Sequence, residues 1–362
     1  MRGCTVPISA TDSITLAFEH TKRQLFKPFR FGQWVRLAFV GLLAGELGSG
    51  GNLNPSRTNQ PASIPQLGEI YHKIDPAILA SVITVLVITG IVLMVVMAYI
   101  SSVMRFILFD SVLTRECHLR AGWSRRQENG WKYFLWQLGL LLATFAGALV
   151  LVGGPAAFAF GMGWFQPPRA HLVQLVLTGV VVFILFVGYV IGLALVHVLT
   201  KDFIVPQMAF EGISALEAWR RLWPMIQVEA KGYAAYIAMK IVLTIVVGIA
   251  IGIVTLILGL ILALPVIGAV AAAVIAGKSA GLTWNLLTIS AAVAAGCILF
   301  VIFFFLVSLI SVPAIVFFPA YSIYFFAARY QPLSLALYSS APQPAVPQGA
   351  PPPLTPPPYP AM

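Results

Sequence analysis

Apolar residues in this chain run in long blocks instead of alternating at the spacing of a half-buried helix or strand. From Ser279 to Ala328, fifty residues pass without an Asp, Glu, Lys or Arg. About 20 residues of helix cross the hydrocarbon core of a bilayer, so blocks of this kind predict membrane spans. Five are predicted, near 77–104, 133–155, 172–198, 235–263 and 285–312. A sixth, near 32–49, reads GQWVRLAFVGLLAGELGS. Arg36 and Glu46 lie toward its two ends, where they would snorkel to opposite interfaces while the middle crosses a short core. The alternative for this stretch is a helix lying in the interface. The expected fold class is all-α, a polytopic transmembrane helical bundle of about six spans.

Composition narrows the class further. Of the 362 residues, 59% are hydrophobic and 9% charged, against roughly 25% charged in soluble domains. No compact soluble domain is left over beside the spans. Cys4, Cys117 and Cys297 are too few and too scattered for a disulfide framework or a zinc site. Residues 1–31 are polar and basic, so no cleavable signal peptide is expected. The formal net charge is +10, and its distribution bears on orientation. With six spans and the N-terminus inside, sixteen of the 22 Lys and Arg fall on the inner side, and only Arg57, Lys73, Arg169 and Lys278 fall outside. Arg36 and Lys240 sit in spans close enough to the inner ends to snorkel. This is the bias of the positive-inside rule, and it predicts two cytoplasmic termini. The basic excess is expected to meet anionic lipid head groups, at about 1 kcal/mol per well-placed base. No aromatic and basic platform for nucleic acid accompanies it.

Three regions follow: an N-terminal segment over 1–31, a transmembrane domain over 32–330 and a Pro-rich disordered tail over 331–362. Within the domain a weak parallel repeat relates about 77–163 to 172–277. FILFDSVLTRECHLRAGWSRR from Phe106 and FIVPQMAFEGISALEAWRRLW from Phe203 each carry a span past the interface. Each sets a Trp two places before an Arg, Trp123 with Arg125 and Trp219 with Arg221. Two amphipathic helices are expected on the inner leaflet. One covers 12–26, with Ile14, Phe18 and Leu25 on a common side. The other begins at the capping box Ser214-Ala-Leu-Glu217 and stops at Pro224. Trp123, Arg125, Arg126, Trp219, Arg220 and Arg221 are thus candidate head-group or interface contacts.

Residues 264–277, LPVIGAVAAAVIAG, follow a complete span and are too short for another, so they read as a re-entrant piece or an interfacial cap. Gly188 with Gly192 and Gly248 with Gly252 match the small-xxx-small pattern and predict a close crossing of two consecutive spans. The tail ends PPPLTPPPYPAM, expected as disordered or polyproline II, and its PPPY would suit a WW domain.

Little is available for chemistry at depth. No H-E-x-x-H, G-x-S-x-G or Walker pattern occurs. His20, His72, His118, His171 and His197 have no helical i, i+4 pairing, and no metal or cofactor is expected. Glu46 is the carboxylate inside a predicted span, while Asp110 and Asp202 lie just beyond the inner ends of two others. All three read as interfacial, and no catalytic residue is assigned.

KPFRFGQWVRLAF from Lys27, VPQMAFEGISALEAWRRLW from Val205 and the six-span layout resemble a bacterial family of uncharacterised multipass membrane proteins. That family is similar to the membrane domain attached to some glycerophosphoryl diester phosphodiesterases. The resemblance covers residues 10–330 and implies a helical bundle in the bacterial inner membrane. It carries no enzyme over, because the soluble catalytic domain with its metal-binding carboxylates and histidines has no counterpart here. The expected function is that of a structural or accessory membrane component, not an enzyme, that interacts with lipids or a protein partner of unknown identity. One alternative is a transporter or channel for a lipid or small hydrophobic solute. It calls for a midplane cavity lined by residues such as Asn285 or Tyr189. The other is a lipid head-group enzyme, which calls for Arg125, Arg221, Asp110 and Asp202 around one pocket.

Overall fold

The computed structural model describes residues 9–46, 76–165, 168–279 and 286–339, and every regular element among them is a helix. α1 (Asp12–Phe26) and α2 (Phe31–Leu43) precede the long α3 (Pro76–Thr114). α4 (Leu119–Ala148) passes through a π-helical turn, Leu149–Gly153, into α5 (Gly154–Gly161). α6 (Leu172–Leu199) passes through a second, Thr200–Ile204, into α7 (Val205–Glu211). α8 (Ala215–Val228) leads to α9 (Ala230–Ser279), α10 (Leu286–Ile310), α11 (Val312–Ala327) and α12 (Gln331–Ser339).

Five stretches are long and apolar enough to cross a membrane: Ala77–Thr114, Leu119–Gly161, Leu172–Glu211, Ala230–Val266 and Val293–Ala327. A helix satisfies every backbone group internally, which is what hydrocarbon requires. The sixth predicted span is not among them. α2 has 13 residues, about 20 Å, short of a core about 30 Å thick. It is wedged into the bundle instead, with Leu37, Ala38, Val40 and Gly41 buried. A methyl on Gly41 would lie 2.5 Å from Ile315 Cγ2. Just past α2, the Ala44 carbonyl accepts from Arg105 at 3.0 Å. Arg105 lies far along α3 from Pro76, about 43 Å at 1.5 Å per residue. Ala44 therefore lies beside the part of α3 remote from Pro76. α1 and α12 both pack on α11, so the first and last described helices share an end.

That end, here termed the base, holds the core. Val103, Phe106, Ile107 and Val112 of α3, Phe203 to Met208 around the second π turn, and Val312, Val316, Ala320 and Phe326 of α11 are buried there. Phe203 stands at its centre, with ring centroids 5.3 Å from Tyr233, 5.2 Å from Tyr236 and 5.1 Å from Phe326. Each such pair adds about 0.5–1.5 kcal/mol beyond burial. Away from the base burial falls off, although Tyr189 of α6 still reaches the Thr144 carbonyl of α4 at 3.0 Å. None of the residues in the most apolar stretch of the first four spans is buried, and 11% are in the fifth.

Side chains close the buried helix ends. The last carbonyls of a helix have no partner within it. Those of Ser111 and Val112 on α3 bond Gln24 Nε2 and His20 Nε2, each at 2.9 Å. Those of Met208 and Ala209 on α7 accept from Asn129 Nδ2 at 3.2 Å and Arg126 NH1 at 2.6 Å. This function sets the orientation of α1. Its buried face is Ser13, Ala17, His20, Thr21, Gln24 and Leu25, whereas Phe18 is 60% exposed. The predicted side of Ile14, Phe18 and Leu25 is split, because capping α3 takes precedence over burying an apolar stripe.

Three boundaries also differ from expectation. α8 continues through Pro224 to Val228. α9 runs through Pro265 to Ser279, so 264–277 extends a helix and does not re-enter. Residues 331–339 are helical, with Leu333 fully buried, while the PPPY sequence lies outside the described residues.

Close approach of α3 and α4 depends on Gly130, where a Cβ would lie 2.5 Å from Val103 Cγ2 and 3.0 Å from its Cα. Gly130→Ala is expected to cost about 1–3 kcal/mol by overpacking, read as a lower thermal midpoint in lipid discs. Gly188→Ala, which meets nothing within 4 Å, should leave it unchanged. His20 gives a pH dependence. Burial, and next the charge of Arg115, push its imidazole down from 6.5 to about 4. The unfolded chain takes up this proton first, so stability should be level above pH 6.5 and fall by up to about 3 kcal/mol as pH drops toward 4. Denaturation of His20→Gln across that range should show a flatter curve.

Candidate functional site

Charges that interrupt four apolar segments meet in the base. Arg105 lies in α3, Lys201 and Asp202 in the second π turn, Lys240 in α9, and Glu46 just past α2. Lys201 Nζ is 2.5 Å from Glu46 Oε2, and the two side chains are 15% and 2% exposed. Lys240 donates to Asp202 Oδ2, which also accepts from the Tyr236 hydroxyl at 3.0 Å. Arg105 donates to the Tyr133 hydroxyl at 2.8 Å and to the Ala44 carbonyl at 3.0 Å. Between these groups lies a cavity of about 30 Å3, lined by Glu46, Arg105, Leu108, Phe109, Lys201, Asp202, Val205, Pro206, Pro319 and Ser322.

The two halves of the site are built alike. Arg105 precedes Phe106 and Asp202 precedes Phe203. Each charge bonds a tyrosine hydroxyl on the following long helix, and each Phe ring packs on that tyrosine, at 5.8 Å for Tyr133 and 5.2 Å for Tyr236. Taking an ion out of water costs several kcal/mol unless good geometry and further hydrogen bonds offset it. The network therefore admits few relative placements of α2, α3, α6 and α9.

The residues singled out as interface contacts divide. Arg126 is buried and grips Asp110 through two bonds of 2.7 Å, which makes it an internal clamp between α4 and α3. Trp219 donates to Thr200 Oγ1 at 3.2 Å and is tied to the second π turn. Arg221 pairs with Glu211 and Glu217. Arg125 and Arg220 are exposed. Trp123 lines an open groove of about 550 Å3 with Phe39, Met104, Leu119, Arg120, Ser124 and Gln127. A methyl on Gly188, Gly192 or Gly252 would meet nothing within 4 Å, so no close crossing is formed at these three positions among the described residues. The four residues named for a lipid enzyme do not share a pocket either. Asp110 and Arg125 line one cavity of about 400 Å3, Asp202 lines the small one, and Arg221 lines neither. Among the described residues no group of three His, Cys, Asp or Glu side chains gathers as a metal site would need.

The charge network was missed because its members were read one at a time as snorkelling or interfacial. Glu46 and Lys201 were even assigned to opposite faces of the membrane, which their contact overturns. The available signal was positional: a charge directly before a Phe at the inner end of two spans, Arg105 and Asp202, with opposite signs.

The model of a family of unknown function, DUF7544, matches residues 8–336. The chain belongs to this family. The match takes in every helix from α1 to α11, base and spans alike. No curated protein and no solved structure matches the chain.

Truncating one partner of a buried pair leaves the other charged and unpaired, at a cost of about 3–5 kcal/mol. Lys201→Met should lower stability in lipid discs by that order. Adding Glu46→Gln should recover more than half of the loss; a double variant no more stable than the single would show that the pair does not act as a unit.

Proposed function

We propose that the protein is a non-enzymatic accessory component of the bacterial inner membrane that organises lipid around a rigid base. The observation that carries this reading is the exposure of the spans. None of the residues in the most apolar stretch of the first four spans is buried, and 11% are in the fifth, so lipid or a partner's apolar helices must cover their outward faces. The open groove beside Trp123 offers an apolar wall with Arg120 at hand, which suits an acyl chain and its phosphate. In this reading the base faces the cytoplasm. The lysine and arginine bias supports that orientation, as does the shared end of α1 and α12. The resemblance to the phosphodiesterase membrane domain fits a membrane module without catalysis of its own.

A second reading, transport of a lipid or small solute, is favoured by one observation, the buried ionic network. Ionisable groups within spans mark substrate or ion pathways by default. Against it, the cavity there is small and lies at one end of the bundle, and Tyr189 turns its hydroxyl to the Thr144 carbonyl at 3.0 Å.

Purification in native lipid discs followed by mass spectrometry of what stays bound separates the two. The accessory reading expects several lipids per chain, enriched in anionic species. Arg125→Gln combined with Arg220→Gln should reduce that enrichment about fivefold per base removed, as expected for about 1 kcal/mol each. One small solute held in stoichiometric amount, with lipids in bulk proportion, would establish the transport reading instead.

A further inference from the structure

Two recesses adjoin at the base, one polar and one apolar. The polar one is lined by Arg30, Gln33 and Arg36 at the start of α2 and by Glu116, Cys117 and His118 in the connection from α3 to α4. Two hydrogen bonds tie its walls together, from Gln33 Nε2 to the Arg115 carbonyl at 2.6 Å and from Arg36 NH1 to the Cys117 carbonyl at 3.5 Å. The apolar one is the groove of Phe39, Met104, Leu119 and Trp123, with Arg120 on its wall. The two linings follow one another along the chain, since Arg36 comes about one turn before Phe39 on α2 and His118 directly precedes Leu119. On α3, Met104 lies ten residues before the last residue, Thr114, about 15 Å back along the helix. That direction leads into the apolar run of α3, so the groove opens from the polar recess toward the spans. The charges in the polar recess are of opposite sign and are not paired with one another. Among the described residues Glu116 forms an ion pair with His118 alone, Nε2 at 3.9 Å, and that ring is charged only when protonated. Arg30 and Arg36 are exposed and join no ion pair among the described residues.

We propose that the recess and the groove together hold one phospholipid with a primary-amine head group. Its phosphate meets Arg30 and Arg36, with Arg120 beside the groove as a third cation. Its ammonium donates to Glu116, and an acyl chain follows Phe39, Met104 and Trp123 toward the spans. Hydrogen bonds between ionised partners are the stronger kind, and a head group carrying both signs makes them with both sets of side chains. Glu116 selects among lipids. An anionic head group would bring a second negative charge beside it, and a choline has no N–H to give it, so each leaves the carboxylate unmatched. The proposal rests on the lipid-organising reading and names one lipid and its place within it. The anionic lipids of that reading lie elsewhere, around Arg125 and Arg220, which line neither recess.

The test uses the full chain in detergent, titrated with dioleoyl phosphatidylethanolamine, phosphatidylcholine or phosphatidylglycerol and read by native mass spectrometry. One phosphatidylethanolamine per chain should bind about tenfold or more tightly than either of the others, the worth of one hydrogen bond to a charged group. Glu116→Gln, at a side chain that is 61% exposed, should erase that preference and leave the thermal midpoint unchanged. Arg36→Gln should weaken all three lipids about tenfold, because each carries the phosphate. If Arg36→Gln does not fold, the loss of preference in Glu116→Gln decides the matter. Phosphoethanolamine, the head group without acyl chains, should not compete at the concentrations that saturate the lipid. Equal binding of the three lipids, a preference for phosphatidylglycerol, or a preference that survives Glu116→Gln would overturn the proposal. Full competition by phosphoethanolamine would do the same, since the groove would then contribute nothing. A chain that retains many lipids in native discs but shows no head-group preference fails this proposal alone and leaves the lipid-organising reading standing.

Discussion

Charge taken out of water has to be matched where it lies, and that requirement organises this protein. Arg105, Lys201, Asp202, Lys240 and Glu46 come from distant parts of the chain. Each is embedded in or beside apolar helix, and all converge in the base. A hydrophobic contact tolerates sliding by an ångström or two, but a carboxylate and an ammonium at hydrogen-bond distance do not. The ion pairs therefore act as register marks. They decide how far α2 is inserted, how α6 enters the core and which face of α9 meets it, and the aromatic cluster around Phe203 packs within the frame they set.

The same demand for matched polar groups explains the short elements. α3 and α7 both end at the base, where Ser111 and Val112 of one and Met208 and Ala209 of the other are buried. The donors come from His20 and Gln24 for one helix, and from Arg126 and Asn129 for the other. α1 is thus better understood as a cap for α3 than as an anchor lying on the leaflet. Arg126 shows the point in a single side chain, since it neutralises Asp110 of α3 and closes α7 at once.

How much of this was legible depended on the scale of the signal. Spans are carried by blocks of some twenty residues, and the five long ones lie where the apolar runs place them. α2 was misread because WVRLAFVGLLAG is apolar enough to span but its helix stops at Leu43, and Glu46 finds its partner in Lys201 instead of in the opposite head groups. Amphipathic reasoning failed for α1 because the face it buries is chosen by hydrogen bonding. The Trp-x-Arg pattern was seen, yet Trp219 turned out to serve Thr200 and Arg126, next to Arg125, to be internal. Tertiary charge pairing leaves no local trace beyond the placement of single charges, so the candidate site was nearly invisible in one sequence.

The second π turn, Thr200–Ile204, has a consequence of its own. A π turn amounts to one extra residue in an α-helix, and each residue of an α-helix turns the chain by about 100°. Everything from Leu172 to Leu199 is therefore out of phase with Val205 to Glu211 by roughly a quarter turn. The upper part of the rod is free to present whichever side suits the hydrocarbon around it, while the lower part keeps its keyed fit. The turn is a phase shifter that lets one helix answer to two environments without compromising with either.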